Sequence, residues 1–197
     1  NIDVPSDLSS AAFFIIGTLI SEGGELILSN VGLNPTRTGI IEILNQMGAR
    51  IEILERKILG NEPVGDLKVS SSTLRGVDID SSLVASAIDE FPAIFIAAAC
   101  AEGKTTLRGA GELRHKESDR LTVMADGLHS LGINVRVFDD GIEITGGVIK
   151  GGNVDASGDH RVAMAFAMAA LKSTGEISVD NASQISTSFP DFFEKAD

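Results

Sequence analysis

Three stretches of the chain are apolar at nearly every position: Ala11–Ile20, Ala93–Ala101 and Val162–Leu171. A helix that is apolar on all faces is buried on all faces. These three are therefore expected to lie together at the centre of the molecule, with sheets and amphipathic helices outside. An aspartate precedes each one (Asp7, Asp89 and Asp159). Aspartate caps a helix N-terminus by accepting from the free backbone N–H groups there. Pro92 suits the first turn of the second helix. Each apolar stretch is followed by glycine and a short predicted strand: Gly23-Gly24-Glu25 with Leu26–Ser29, Gly103-Lys104 with Thr105–Arg108, and Gly175-Glu176 with Ile177–Asp180. Helical periodicity predicts further helices at Thr38–Met47 and Ser118–Leu131, closed by Gly48 and Gly132. Strands are predicted after them at Arg50–Leu54, Asn134–Phe138 and Ile142–Thr145, and a last helix at Pro190–Lys195.

The order acid, apolar helix, glycine, strand thus occurs three times, starting at Asp7, Asp89 and Asp159. The copies are too few and too long for an ordinary solenoid. Three β/α units in one α/β (α+β) domain are expected. If the units are arranged alike, all three buried helices point their N-termini, and so their partial positive charges, at one end, where an anion is attracted.

Charge changes the picture next. Twenty-eight acidic against sixteen basic residues give a net charge of −12, which argues against nucleic acid or an anionic membrane as partner. Yet five of the bases (Lys104, Arg108, Arg114, Lys116 and Arg120) fall between positions 104 and 120, a local concentration that suits a small anionic ligand. If Glu112–Arg120 opens a helix, Lys116 and Arg120 share a face and repel by roughly 0.2–0.5 kcal/mol, unless an anion offsets the repulsion or both splay into water. Arg161 stands two residues after Asp159, at the same predicted end. Asp89 and Glu117 add carboxylates among these cations, as proton transfer beside an anionic substrate requires. Cys100, the single cysteine, lies next to apolar residues and cannot form an internal disulfide; a reduced thiol and a cytoplasmic location are expected. No apolar run approaches membrane-spanning length and no His/Cys cluster has metal-ligand spacing, so neither a membrane nor a metal is expected. The sequence starts at Asn1 without methionine and is expected to be a piece of a longer protein.

Six segments then occur in a telling order: Pro5-Ser-Asp-Leu-Ser-Ser-Ala-Ala-Phe13, Asn34-Pro-Thr-Arg-Thr-Gly39, Ile88-Asp-Glu-Phe-Pro92, Lys116-Glu-Ser-Asp-Arg120, Gly158-Asp-His-Arg-Val-Ala-Met164 and Ser188-Phe-Pro190. In this set the chain resembles the C-terminal lobe of the 3-phosphoshikimate 1-carboxyvinyltransferase (EPSP synthase) family, over essentially its whole length. The resemblance implies one lobe of the enolpyruvyl transferase inside-out β/α barrel fold. A single lobe would span residues 1–197, with approximate units 1–75, 76–150 and 151–197. It implies transfer of the enolpyruvyl group of phosphoenolpyruvate to the 5-hydroxyl of shikimate 3-phosphate, with release of phosphate, in the shikimate pathway that glyphosate blocks. It implies a site between two lobes, so that the absent N-terminal lobe is a partner and this chain is inactive alone. By the same resemblance Asp89 binds the shikimate ring hydroxyl as base, Lys116 contacts shikimate 3-phosphate, Glu117 exchanges the proton at the phosphoenolpyruvate methylene, and Arg120 and Arg161 hold phosphoenolpyruvate. No cofactor and no metal are implied.

The chain departs from some members of the family in three places. Thr187 and Ser188 stand where a lysine precedes the Phe-Pro pair, Glu112 stands where others have asparagine, and residues 55–75 look like a longer surface loop. Two alternatives remain: a non-catalytic anion-binding module of the same fold, and a lobe of the sister enzyme that acts on UDP-N-acetylglucosamine.

Overall fold

The structure is a computed structural model and describes residues 3–196. Its centre is three helices: α1 (Leu8–Ile20), α4 (Phe91–Cys100) and α6 (His160–Ala169). Each packs on the other two. Phe13, Ile16, Phe95, Ile96 and Phe166 are fully or almost fully buried among them, as all-round apolar helices require. The three run parallel. Contacts between residues at their starts (Ser9 with Glu90, Asp89 with Arg161) and just past their ends (Glu22 with Lys172) fix this.

Two of the expected caps are present. Asp7 accepts from Ser10 N, and Asp159 accepts from the N–H groups of Arg161 and Val162. The third expectation is corrected. The N-cap position of α4 is Glu90, without a side-chain capping bond, and Asp89 lies one residue further out. The chain turns at that point, so the Asp89 carboxylate is free to face its neighbours.

Around the core lie three small sheets. The first has order β1-β3-β2, from β1 (Glu25–Gly32), β2 (Arg50–Leu59) and β3 (Glu62–Ser70), all antiparallel. The second has order β4-β6-β5, from β4 (Lys104–Leu107), β5 (Asn134–Phe138) and β6 (Gly141–Thr145), again antiparallel. The third is a parallel pair, β7 (Gly152–Asp155) with β8 (Ile177–Asp180). Parallel bridges from Ser6 to Val31 and from Asp78 to Thr106 place a leading segment beside β1 and β4, as β7 stands beside β8. The expected loop over 55–75 instead holds the end of β2, a tight turn and β3. Leu59 pairs with Glu62 across Gly60-Asn61, both at positive φ (57° and 71°), the conformation that a two-residue primed turn demands.

Helix α2 (Gly39–Gln46) packs on β2 and on α3 (Val84–Ala87), and α5 (Arg120–Ser130) packs on β5 and β7. Short helices α7 (Ile185–Ser188) and α8 (Phe192–Ala196) close the chain, with Phe192 edge-on to Phe13 at 6.2 Å between ring centres. Among the described residues no helix is long and apolar enough to cross a membrane.

One glycine is fixed by packing. A Cβ on Gly127, midway along α5, would come within 2.7 Å of the Phe166 ring and 2.8 Å of Val154. Gly127→Ala gains up to about 1 kcal/mol of helix propensity but overpacks a buried contact, which costs about 1–3 kcal/mol. A net loss of stability is expected in urea denaturation.

Candidate active site

The N-terminal ends of the buried helices meet the segment between β4 and α5. That segment begins with a 3-10 turn at Gly111–His115, leaves Lys116 in extended conformation, and enters α5 only at Arg120, capped by the Asp119 carboxylate on Thr122 N. Lys116 and Arg120 therefore do not share a helix face, contrary to the sequence expectation. Arg114 secures the segment: it donates to Asp119 at 2.6 Å and to the carbonyls of Phe138 and Asp139 at 2.7 and 2.9 Å. The local positive charge is also partly structural. Lys104 pairs with Glu143 and Arg108 with Asp140. Of the five clustered bases, Lys116 and Arg120 remain for a site.

The structure brings all five predicted site residues together. The Asp89 carboxylate lies 3.9 Å from Lys116 Nζ, 3.7 Å from Arg120 Nη1 and 3.8 Å from Arg161 Nη2. These are ion-pair distances beyond hydrogen-bond length. Arg161 Nη1 also donates to the Asp89 carbonyl at 3.2 Å. Glu117 Oε2 accepts from Arg120 Nη2 at 2.5 Å, and Lys116 Nζ donates to Glu112 at 3.0 Å. Placement follows from the elements. Asp89 precedes α4, Arg161 is in the first turn of α6, Arg120 begins α5, and Lys116 and Glu117 occupy the turn before it.

Arg120 is the centre of this arrangement, and its side chain is 0% exposed. Nε donates to Asp159 Oδ2 at 2.8 Å, and Ser118 Oγ donates to the same carboxylate at 3.1 Å. Nη1 is buried and has no hydrogen-bond partner among the described residues. Burial works against ionisation of Asp159, but the hydrogen bond and charge of Arg120, with the N–H groups of Arg161 and Val162, outweigh it and hold its carboxyl below the usual range. Asp159 thus does more than cap α6: it is the counter-charge that keeps Arg120 buried and oriented. Spacing of 39 residues hides that pairing from the sequence. Next to it, His160 is held below the usual imidazole value by burial and by Arg161, against the opposing charges of Asp159 and Glu117. Burial and Arg161 thus favour its uncharged form, a polar group among ions. The Asp159-His160-Arg161 run was its only sequence signal.

A family model described as EPSP synthase (3-phosphoshikimate 1-carboxyvinyltransferase) matches residues 1–196. The chain belongs to the EPSP synthase family. It is 56% identical to the 3-phosphoshikimate 1-carboxyvinyltransferase of Nitrosococcus oceani, over 99% of this chain and 44% of that protein. The structure of EPSP synthase from Acinetobacter baumannii superposes with a TM-score of 0.97 at 51% identity, covering 100% of this chain and 46% of the other. The enolpyruvyl transferase NikO from Streptomyces tendae aligns at a TM-score of 0.71 and 20% identity, over 97% of this chain and 42% of that one, which shows the shared fold alone. The chain spans about half the length of the curated relatives it matches. Its architecture is one lobe of the enolpyruvyl transferase fold, with β/α units around buried parallel helices. As a member of the EPSP synthase family, it carries its charged cluster at the helix N-termini of that lobe.

Proposed function

We propose that this lobe, with units at about 1–75, 76–150 and 151–197, supplies one half of a site that transfers the enolpyruvyl group of phosphoenolpyruvate to the 5-hydroxyl of shikimate 3-phosphate and releases phosphate. One observation supports this most: a fully buried guanidinium with one nitrogen that has no hydrogen-bond acceptor among the described residues. A buried donor left unpaired is costly, and a carboxylate or phosphate oxygen of an anionic substrate is the acceptor that relieves it. Arg161, on the far side of Asp89, provides a second guanidinium for the same anion.

The roles divide by geometry. The Asp89 carboxylate is not hydrogen-bonded to the three cations around it, so it can accept a substrate hydroxyl and, as that hydroxyl attacks, its proton. Lys116 lies beside it for the phosphate of the hydroxyl-bearing substrate. Glu117 shares Arg120 with the incoming anion. Held beside that anion by Arg120, Glu117 stands where it can protonate the methylene carbon. Glu117 then takes back a proton from the methyl group so formed as the carbon–oxygen bond to phosphate breaks. This restores the enol and releases phosphate, so acid and base act on one reaction from two sides of the anion pair. The other lobe of the full-length protein supplies the remaining cations.

The test is phosphate release by the full-length protein carrying this lobe. Glu117→Gln is expected to leave substrate binding largely intact and to slow turnover by about 10²–10⁴. Unchanged turnover would remove Glu117 from the mechanism. No transfer by the unaltered protein would remove the reading itself.

A further inference from the structure

Asp89 and Glu90 are adjacent in sequence but point to different partners. Asp89 faces Lys116, Arg120 and Arg161. Glu90, 2% exposed, faces α1 and the loop before α2. Its Oε1 accepts a short hydrogen bond from Ser9 Oγ, in the first turn of α1, and lies 3.6 Å from Arg37 Nη2. The same nitrogen donates to Ser9 Oγ at 2.7 Å. Ser9 is 3% exposed, whereas the Arg37 side chain is half exposed and reaches in from outside. Glu90 Oε2 is buried and has no hydrogen-bond partner among the described residues.

Stability does not account for this arrangement. Glu90 occupies the N-cap position of α4 without capping it, although a serine or aspartate there would satisfy an N–H. A buried carboxylate with an unused oxygen is costly, and an apolar side chain in its place is often the more stable choice. Burial accordingly pushes the Glu90 carboxyl up, and Asp89 adds to the rise, while Ser9, Arg37 and Arg161 pull it down. What the arrangement does provide is a tie. A residue locked to α1 on one side holds the backbone of its neighbour on the other.

We propose that Glu90, held by Ser9 and Arg37, is a positioning residue: it anchors the start of α4 to the first unit and so sets where the Asp89 carboxylate stands among Lys116, Arg120 and Arg161. The kinetic consequence rests on the enolpyruvyl-transfer reading above; the positional one does not. A misplacement of about 1 Å at a reacting group lowers a rate by as much as about 10²-fold.

Two measurements test it. In the full-length protein, Glu90→Ala is expected to lower kcat by about 10–100-fold with little change in KM for phosphoenolpyruvate. Glu90→Gln, which keeps the acceptor for Ser9, recovers most of the loss. Arg37→Ala acts in the same direction and adds little to Glu90→Ala. In this chain, the ¹³C resonance of the Asp89 carboxyl, assigned by its loss in Asp89→Asn, is expected to shift in Glu90→Ala and to return in Glu90→Gln. That resonance reports position whether or not the protein transfers enolpyruvyl, so failure of the functional reading is separable from failure of this one. Should Glu90→Ala not fold, Arg37→Ala changes a half-exposed side chain and carries both measurements. An unmoved Asp89 resonance, or unchanged kcat in an otherwise active protein, overturns the proposal.

Discussion

This chain by itself is expected to release no measurable phosphate from phosphoenolpyruvate and shikimate 3-phosphate. Its three site cations, Lys116, Arg120 and Arg161, already face the carboxylates of Asp89, Glu112, Glu117 and Asp159. The cluster therefore has no surplus positive charge with which to hold two anions. It is also open: the Glu117 side chain is 51% exposed and that of Glu112 71%. Between unit charges about 4 Å apart, attraction is worth about 1 kcal/mol in water and about 4 kcal/mol at the effective dielectric of a protein surface. A cover that excludes water therefore changes every contact in the site. The other half of the proposed full-length protein would bring both the cover and further cations. Supplied as a separate polypeptide, it is expected to restore part of the turnover, reduced by the entropy of bringing two chains together. A phosphate-release assay checks this, and clear activity from the chain alone would mean that the catalytic set is complete without a second half.

The second large effect is expected from Asp159→Asn. Asparagine also caps helices well, so the substitution keeps the N-cap of α6 and removes the counter-charge of Arg120. Breaking a buried ion pair on one side costs about 3–5 kcal/mol; Arg120 keeps the half-exposed Glu117 and the 3.7 Å contact with Asp89, so the lower end of that range is expected. The pH dependence carries a definite sign. A carboxyl held below its unfolded value contributes stability that is present above that unfolded value, about 3.9, and is lost as pH falls through the lower folded one. The gap between the unaltered chain and Asp159→Asn should thus be constant above about pH 5 and narrow on further acidification. Urea denaturation at a series of pH values measures it, and a gap that persists undiminished into strong acid would contradict the assignment. Arg120→Ala should show the mirror effect, since it strands Asp159. If Arg120 holds phosphoenolpyruvate as proposed, a loss of that binding in the variant is to be compared with its loss of stability.

Much of the fold was legible in order and type. The three apolar helices, the caps Asp7 and Asp159, and the strands that follow each glycine are local properties, written in a few consecutive residues. Strand β7 was not legible: four residues, Gly-Asn-Val-Asp, after a glycine look like a loop until β8 pairs with them. Nor was the β2–β3 hairpin, although Gly60-Asn61 was a usable turn signal. Beyond Leu54 the solvent side of β2 is charged and its alternation fades, so periodicity gave no strand to pair across that turn.

The site divides in the same way. From sequence came its members and their gathering at one end, because three buried helices of like direction leave few places for their flanking charges. Tertiary structure alone decided the pairings. Arg120 takes Asp159 from 39 residues away, Arg161 reaches Asp89 across 72, and Glu90 rather than Asp89 sits at the start of α4, tied to Ser9 across 81. A carboxylate is equally able to cap, to pair or to react. Which of these it does depends on the donors and the dielectric that folding brings around it, and neither is encoded in its immediate neighbours.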